Sequence, residues 1–196
     1  MLTLTERGLY CAAADVYIDP WSPVPHALIT HAHGDHLIWG CGRYLLARDG
    51  EGVARERLGT WASGVDTVAY GEARVVNGVR ISFHPAGHIL GSSQIRLEHG
   101  GEVWVVSGDY KTDPDPTCAA WEPVRCHTFI TESTFGLPVY RWPTQASVFA
   151  DINAWWRENA EHGVVSLLYG YALGKAQRLL AGLDASIGPI LTHGAV

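Results

Sequence analysis

The rhythm of apolar and polar residues changes part-way along this chain. Through residue 109 the apolar stretches are short, closely spaced and often alternating, the period of strands. Residues 15–19, 27–30, 43–47 and 67–70 read as strands, and so do the arms on either side of Asn77-Gly78. An Asn-Gly pair between such arms predicts a two-residue hairpin. A second hairpin is predicted at His99-Gly100-Gly101, between residues 93–97 and 103–106, which makes His99 a turn residue. Short helices fit residues 35–40 and 52–58.

Beyond residue 109 the pattern differs. Thr112-Asp113-Pro114-Asp115-Pro116 is a stiff, helix-averse connection. A strand over residues 128–131 runs into Glu132, and residues 143–159 show helical spacing, with Val148, Ile152 and Trp155-Trp156 on one face. A strand at 164–168, a helix at 175–183 and a strand at 189–192 complete a strand–helix alternation that predicts a parallel α/β layer. The fold expected is therefore α/β, a β-rich half followed by a βαβ-type unit. No internal repeat or low-complexity tract interrupts it.

At 196 residues, with 47% hydrophobic and 17% charged, the composition is that of an ordinary globular domain. No apolar run reaches membrane-spanning length and the N-terminus lacks a basic-then-apolar signal pattern, so no membrane association and a cytoplasmic location are expected. Cys11, Cys41, Cys118 and Cys126 are far apart and form no C-x-x-C pair, which reads as buried free thiols. The net charge of −6 has the wrong sign for simple nucleic-acid binding through a basic face. A pair of divalent metals would add up to four positive charges at its site, so the charge does not exclude a phosphodiester substrate.

The chemistry is concentrated in His31-Ala32-His33-Gly34-Asp35-His36, directly after the strand at 27–30. Imidazoles and carboxylates suit zinc and its neighbours, and a strand gives them a rigid base. Positions 31 and 33 can point one way, while 35 and 36 lie past the turn and can reach a second point, which suggests two metals. His-rich tracts also bind metal by accident, but this one holds no other polar filler. His88, between glycines after a strand, and Asp109, at the end of another, extend the series. Either alone would read as a turn or capping residue.

The order His-x-His-x-Asp-His, then His, then Asp resembles the metallo-β-lactamase superfamily. The resemblance implies an αββα sandwich in which His31, His33 and His88 hold one metal, Asp35 and His36 hold the second, and Asp109 bridges them. Asp19 matches an acidic position that braces the ligand loop. Thr131-Glu132-Ser133-Thr134-Phe135-Gly136 resembles the first cap motif of the β-CASP nuclease branch, and Gly174-Lys175 a helix-opening turn in the same cap. With Tyr17-Ile18-Asp19-Pro20-Trp21 and Glu122-Pro123-Val124-Arg125-Cys126, the chain looks like the bacterial DNA ligase-associated exonucleases.

The implied organisation is a metallo-β-lactamase half-sandwich at 1–135 and a partial β-CASP cap at 136–196, with the C-terminal remainder of such nucleases absent. The implied activity is that of a metal-dependent phosphodiesterase, a DNA exonuclease of repair. Its cofactors would be two divalent ions, zinc or else manganese. Its substrate would be single-stranded or end-containing DNA, with a functional link to an ATP-dependent DNA ligase. Asp35 would orient the attacking water or accept its proton, Glu132 would align Asp35 or a ligand histidine, and Lys175 would contact substrate phosphate. Gly174-Lys175 is not a phosphate-binding P-loop, since Gly170 is one residue too close and Ala176 replaces the required hydroxyl. His193, in a strand-like run ending His-Gly, falls in a cap strand by this resemblance. His26, His84, His127 and His162 have no ligand context.

Two other readings compete. A small-molecule hydrolase on the same scaffold would act on a thioester, lactone or β-lactam. An inactive metal-binding fragment would be an interaction protein with an exposed sheet edge. A chain ending at Val196 is expected to be poorly active on its own.

Overall fold

The computed structural model describes residues 1–196 and divides into two compact units, Met1–Glu132 and Ser133–Val196. The first is a mixed α/β unit built on two sheets. The six-stranded sheet runs β1 (Leu2–Thr5), β2 (Gly8–Cys11), β3 (Val16–Ile18), β4 (His26–Leu28), β5 (Arg43–Ala47) and β6 (Val65–Val68) in sequence order. Its first three strands are antiparallel and β3 to β6 are parallel. The other sheet has the order β11-β10-β9-β8-β7, from β7 (Ala73–Val76), β8 (Val79–Pro85), β9 (Ser93–His99), β10 (Glu102–Val106) and β11 (Thr128–Ile130). Only its β10–β11 pairing is parallel.

The period of two puts Val79, Ile81 and Phe83 of β8 and Ile95 and Leu97 of β9 on one face, all fully buried. They share one core with Ile18, Leu28, Ala47 and Val68 of the six-stranded sheet. Each valine, leucine, isoleucine or phenylalanine among them contributes roughly 1.5–3 kcal/mol on burial. The hairpin at Asn77-Gly78 forms as the sequence predicts, with both residues at positive φ, +49° and +82°. The hairpin before β10 also forms, turning through Gly100 and Gly101, but His99 is the last residue of β9, paired with Glu102, and not a turn residue. Helix α1 (Glu51–Leu58) carries an Arg55–Glu51 ion pair at 2.8 Å.

Several expectations are corrected. Strands β1 and β2 precede every strand expected, although Leu-Thr-Leu-Thr before a Glu-Arg-Gly turn already carries the alternation. The strand expected at 67–70 begins earlier, at Val65. Residues 35–40 form turns rather than a helix. Just past it the Tyr44 hydroxyl donates to Ile38 O at 3.0 Å and accepts from Cys41 N at 2.9 Å, side-chain bonds within the same stretch of chain that a helix would not make. All four cysteines are free; Cys11 and Cys41 are buried, Cys118 and Cys126 only partly.

The second unit contains α2 (Gln145–Glu161) and α3 (Lys175–Gly182). Thr144 caps α2, its hydroxyl accepting from Ser147 N at 3.2 Å. Asn153 joins the helices, donating to Gly182 O at 3.0 Å and accepting from Asp184 N at 2.9 Å. The strands expected at 164–168 and 189–192 do not form, so there is no parallel α/β layer in this unit. A strand exists only where a neighbour supplies its ladder partners. These apolar runs have none, and Val165 and Leu191 are 80% and 92% exposed. No helix is long and apolar enough to cross a membrane.

Candidate metal centre

The ligand loop begins where β4 ends. Ile29 N still donates to Leu45 O of β5 at 2.9 Å, and then the chain turns into His31. Thr30 anchors the turn. Its carbonyl accepts from Ser93 N at 2.8 Å and Ser93 Oγ at 2.9 Å, tying the loop to the start of β9. Its N–H and hydroxyl both donate to the Asp19 carboxylate, at 2.8 and 2.5 Å. Gly108, at φ +55°, comes so close that any Cβ there would meet the Thr30 side chain at 2.6 Å. The end of β10 can therefore lie against the loop and present Asp109.

His31, His33, His88 and Asp109 converge, their ligand atoms all within 4.8 Å of one another. His33 Nδ1 is 3.0 Å from His31 Nε2 and 3.3 Å from His88 Nε2. Asp109 Oδ2 lies 3.8 Å from His31 Nε2 and 3.6 Å from His88 Nε2. A tetrahedron of donors about 2.05 Å from a zinc ion has edges of about 3.4 Å. The three rings meet nearly at right angles, at 78°, 86° and 79°. Three nitrogens and one carboxylate oxygen converging in this way fit a divalent metal ion.

His36 and Asp35 adjoin this group through Asp109. His36 Nε2 is 3.5 Å from Asp109 Oδ1 and 3.7 Å from Asp35 Oδ2. One Asp109 oxygen thus faces His31 and His88 and the other faces His36. The far nitrogen of His36, Nδ1, is 2.8 Å from Asp19 Oδ2. Ser92 orders the next ligand loop, its Oγ accepting from His88 N at 3.0 Å and Ile89 N at 3.2 Å.

The electrostatics of His31 suit ligation. Burial, followed by the neighbouring His36, His88 and His33, holds the His31 pKa well below the ordinary histidine range, which leaves a neutral ring with a free lone pair. Burial also opposes protonation of His36, but the Asp19 hydrogen bond and the charges of Asp19, Asp109 and Asp35 outweigh it and raise its pKa. Burial raises the Asp109 pKa against the pull of His36, with Glu132 and Asp35 adding to the rise.

Glu132, half-buried just after β11, is thus within electrostatic reach of Asp109. Lys175 opens α3 in the second unit, its Nζ 5.2 Å from the Tyr171 ring centroid. His193 is exposed there and accepts from Ala195 N at 3.1 Å. His84 bonds Ser82 and Glu122, each at 3.0 Å, and His127 accepts from Val103 N at 2.9 Å. Sequence reasoning missed Thr30 and Ser92. Their only signal is a hydroxyl residue beside a histidine motif.

The fold and this cluster define a mixed α/β protein with a divalent-metal donor site. No protein-family model matches the chain. A probable DNA ligase of Opitutus terrae is 32% identical over 96% of this chain and 18% of its own length. Cleavage and polyadenylation specificity factor 73 of Drosophila melanogaster is 31% identical over 61% of the chain and 18% of its own. Endoribonuclease YSH1 of Yarrowia lipolytica is 31% identical over 61% and 14%. The chain spans less than a fifth of the length of these curated relatives. A crystal structure of a protein of unknown function from Enterococcus faecalis V583 superposes at a TM-score of 0.48, with 12% identity over 67% of this chain and 38% of that one. The three relatives bear out the resemblance read from the sequence: the chain is related to the β-CASP nuclease branch of the metallo-β-lactamase superfamily.

Proposed function

We propose that the chain carries the metal centre of a phosphodiesterase acting on nucleic acid, and that DNA is its substrate. The observation that carries this reading is the Asp109 carboxylate, with one oxygen toward His31 and His88 and the other toward His36. His31, His33, His88 and Asp109 would hold one divalent ion, and Asp35, His36 and Asp109 a second. When bound, such ions lower the pKa of a water and neutralise charge on a phosphoryl group.

The chain's own residues do the rest. Asp35, with a side chain 79% exposed, is free to accept the proton of an incoming water. Asp19 fixes the His36 ring by taking Nδ1, which leaves Nε2 turned toward Asp109. Glu132 adds negative charge beside Asp109 and so strengthens the site's demand for a cation. In this reading the two sheets belong to an αββα sandwich, residues 136–196 to a cap, and Lys175 contacts substrate phosphate. The match to a probable DNA ligase along nearly the whole chain favours DNA and a repair exonuclease linked to ligation. Zinc suits the three-histidine donor set best.

The test is cleavage of end-labelled single-stranded DNA by the zinc-loaded protein, run beside a thioester panel. Metal-dependent shortening of DNA, reduced at least about 100-fold in Asp109→Asn, is expected. Turnover of thioester alone would overturn the assignment.

A further inference from the structure

Residues 133–144, Ser-Thr-Phe-Gly-Leu-Pro-Val-Tyr-Arg-Trp-Pro-Thr, form no helix or strand, yet they fold. Gly136 N donates to Ser133 O at 3.0 Å and Tyr140 N to Leu137 O at 3.2 Å, so two successive turns bend the segment back on itself. The bends gather Phe135, Tyr140 and Trp142 into one cluster. Phe135 stands edge-on to both partners, its centroid 5.1 Å from Tyr140 at 80° and 5.3 Å from Trp142 at 86°. Tyr140 and Trp142 are nearly parallel, at 12° with centroids 6.1 Å apart. Such edge-on contacts hold rings in place beyond their burial.

The cluster is not a core. Phe135, Tyr140 and Trp142 are 59%, 43% and 68% exposed. Contiguous exposed aromatic surface marks a binding site. The charge pattern says for what. In a chain of net charge −6, this segment holds no carboxylate, and its single charge is Arg141, between the two parallel rings in sequence. Aromatic rings in a segment that carries one cation and no anion match an unpaired base attached to its phosphate.

We propose that Tyr140 and Trp142 are a stacking platform for unpaired nucleobases, braced by Phe135, with Arg141 meeting the adjacent phosphate. The proposal rests on the nucleic-acid reading above and deepens it, because it assigns the recognition of single strands to a named surface. Stacking tolerates any base, so the platform selects single-stranded over paired nucleic acid rather than a sequence.

The experiment is fluorescence anisotropy of the full 196-residue chain in EDTA, where hydrolysis is silent. The probes are a labelled 12-mer of thymidine and an abasic 12-mer with the same backbone charge. The wild type should prefer the base-bearing strand. Trp142→Ala should weaken its binding about 5- to 100-fold, the range for loss of one base stack. The same variant should leave the abasic strand unaffected, and Trp142→Phe should stay within about threefold of wild type by keeping a ring face. Three results would overturn the proposal: no binding by the wild type, equal affinity for both strands, or equal losses on both strands in Trp142→Ala. Metal-dependent cleavage without base-dependent binding would remove the platform and leave the hydrolytic assignment standing. Base-dependent binding without cleavage would do the reverse.

Discussion

Asp19 takes a left-handed backbone conformation, φ +42°, and its carboxylate gathers Thr30 N, Thr30 Oγ1 and His36 Nδ1. One side chain therefore sets both the start of the ligand loop and the orientation of a ligand ring. Outer-shell partners of this kind are worth 10- to 100-fold in metal affinity. Asp19→Asn should weaken zinc binding by about that factor in chelator competition; unchanged affinity would show that Asp19 does not orient His36. Tyr44 acts nearby on the segment that follows the motif. Burial pushes its phenol up to about 12, above the value near 10 of an unfolded chain. A raised acid pKa means that the fold holds the proton more tightly, so the contribution is complete below about pH 10 and lost as pH rises through about 12. Denaturant titrations of Tyr44→Phe should show a flatter loss of stability over that window, and parallel curves would contradict this. At this scale the sequence exposes candidate ligands better than their supports. His31, His33, Asp35 and His36 announce themselves because few other roles need those residues together. Thr30 and Ser92 do not, because a hydroxyl gains its meaning only from what the fold brings to it.

Among the elements, turns were the most legible. Asn77-Gly78 places both residues at positive φ, which few other pairs accept. Gly78→Val should cost about 1–2 kcal/mol in chemical denaturation, the penalty of a side chain in that conformation. Gly91 is more demanding, since a Cβ there would lie 2.2 Å from the Gly50 backbone. Gly91→Ala should destabilise by more than about 2 kcal/mol and loosen the His88 loop; a wild-type melting temperature would contradict it. The apolar runs at 164–168 and 189–192 misled because length and hydrophobicity do not distinguish a strand from an extended segment without ladder partners. The segment 35–40 is not helical, and the nearby Tyr44 hydroxyl takes up Ile38 O and Cys41 N there, a side-chain role that apolar spacing does not reveal.

For the whole molecule, the first unit brings candidate ligands from 78 residues of separation, His31 to Asp109, into a group within 4.8 Å. That convergence needs both sheets, because Thr30 binds Ser93 of one while Ile29 binds Leu45 of the other. Metal binding is therefore linked to folding, and an ion that binds only the folded chain stabilises it by mass action. At a hundredfold excess over its Kd, zinc should add about 2.7 kcal/mol, and EDTA should remove that gain. The proposed reading gives Asp109 two ions to share. Metal content of the purified, zinc-equilibrated chain measured by mass spectrometry of the elements tests this most directly. The account predicts two zinc ions per chain, falling to one or none in Asp109→Asn. Fewer than one ion in the wild type, or an undiminished count in Asp109→Asn, would contradict it.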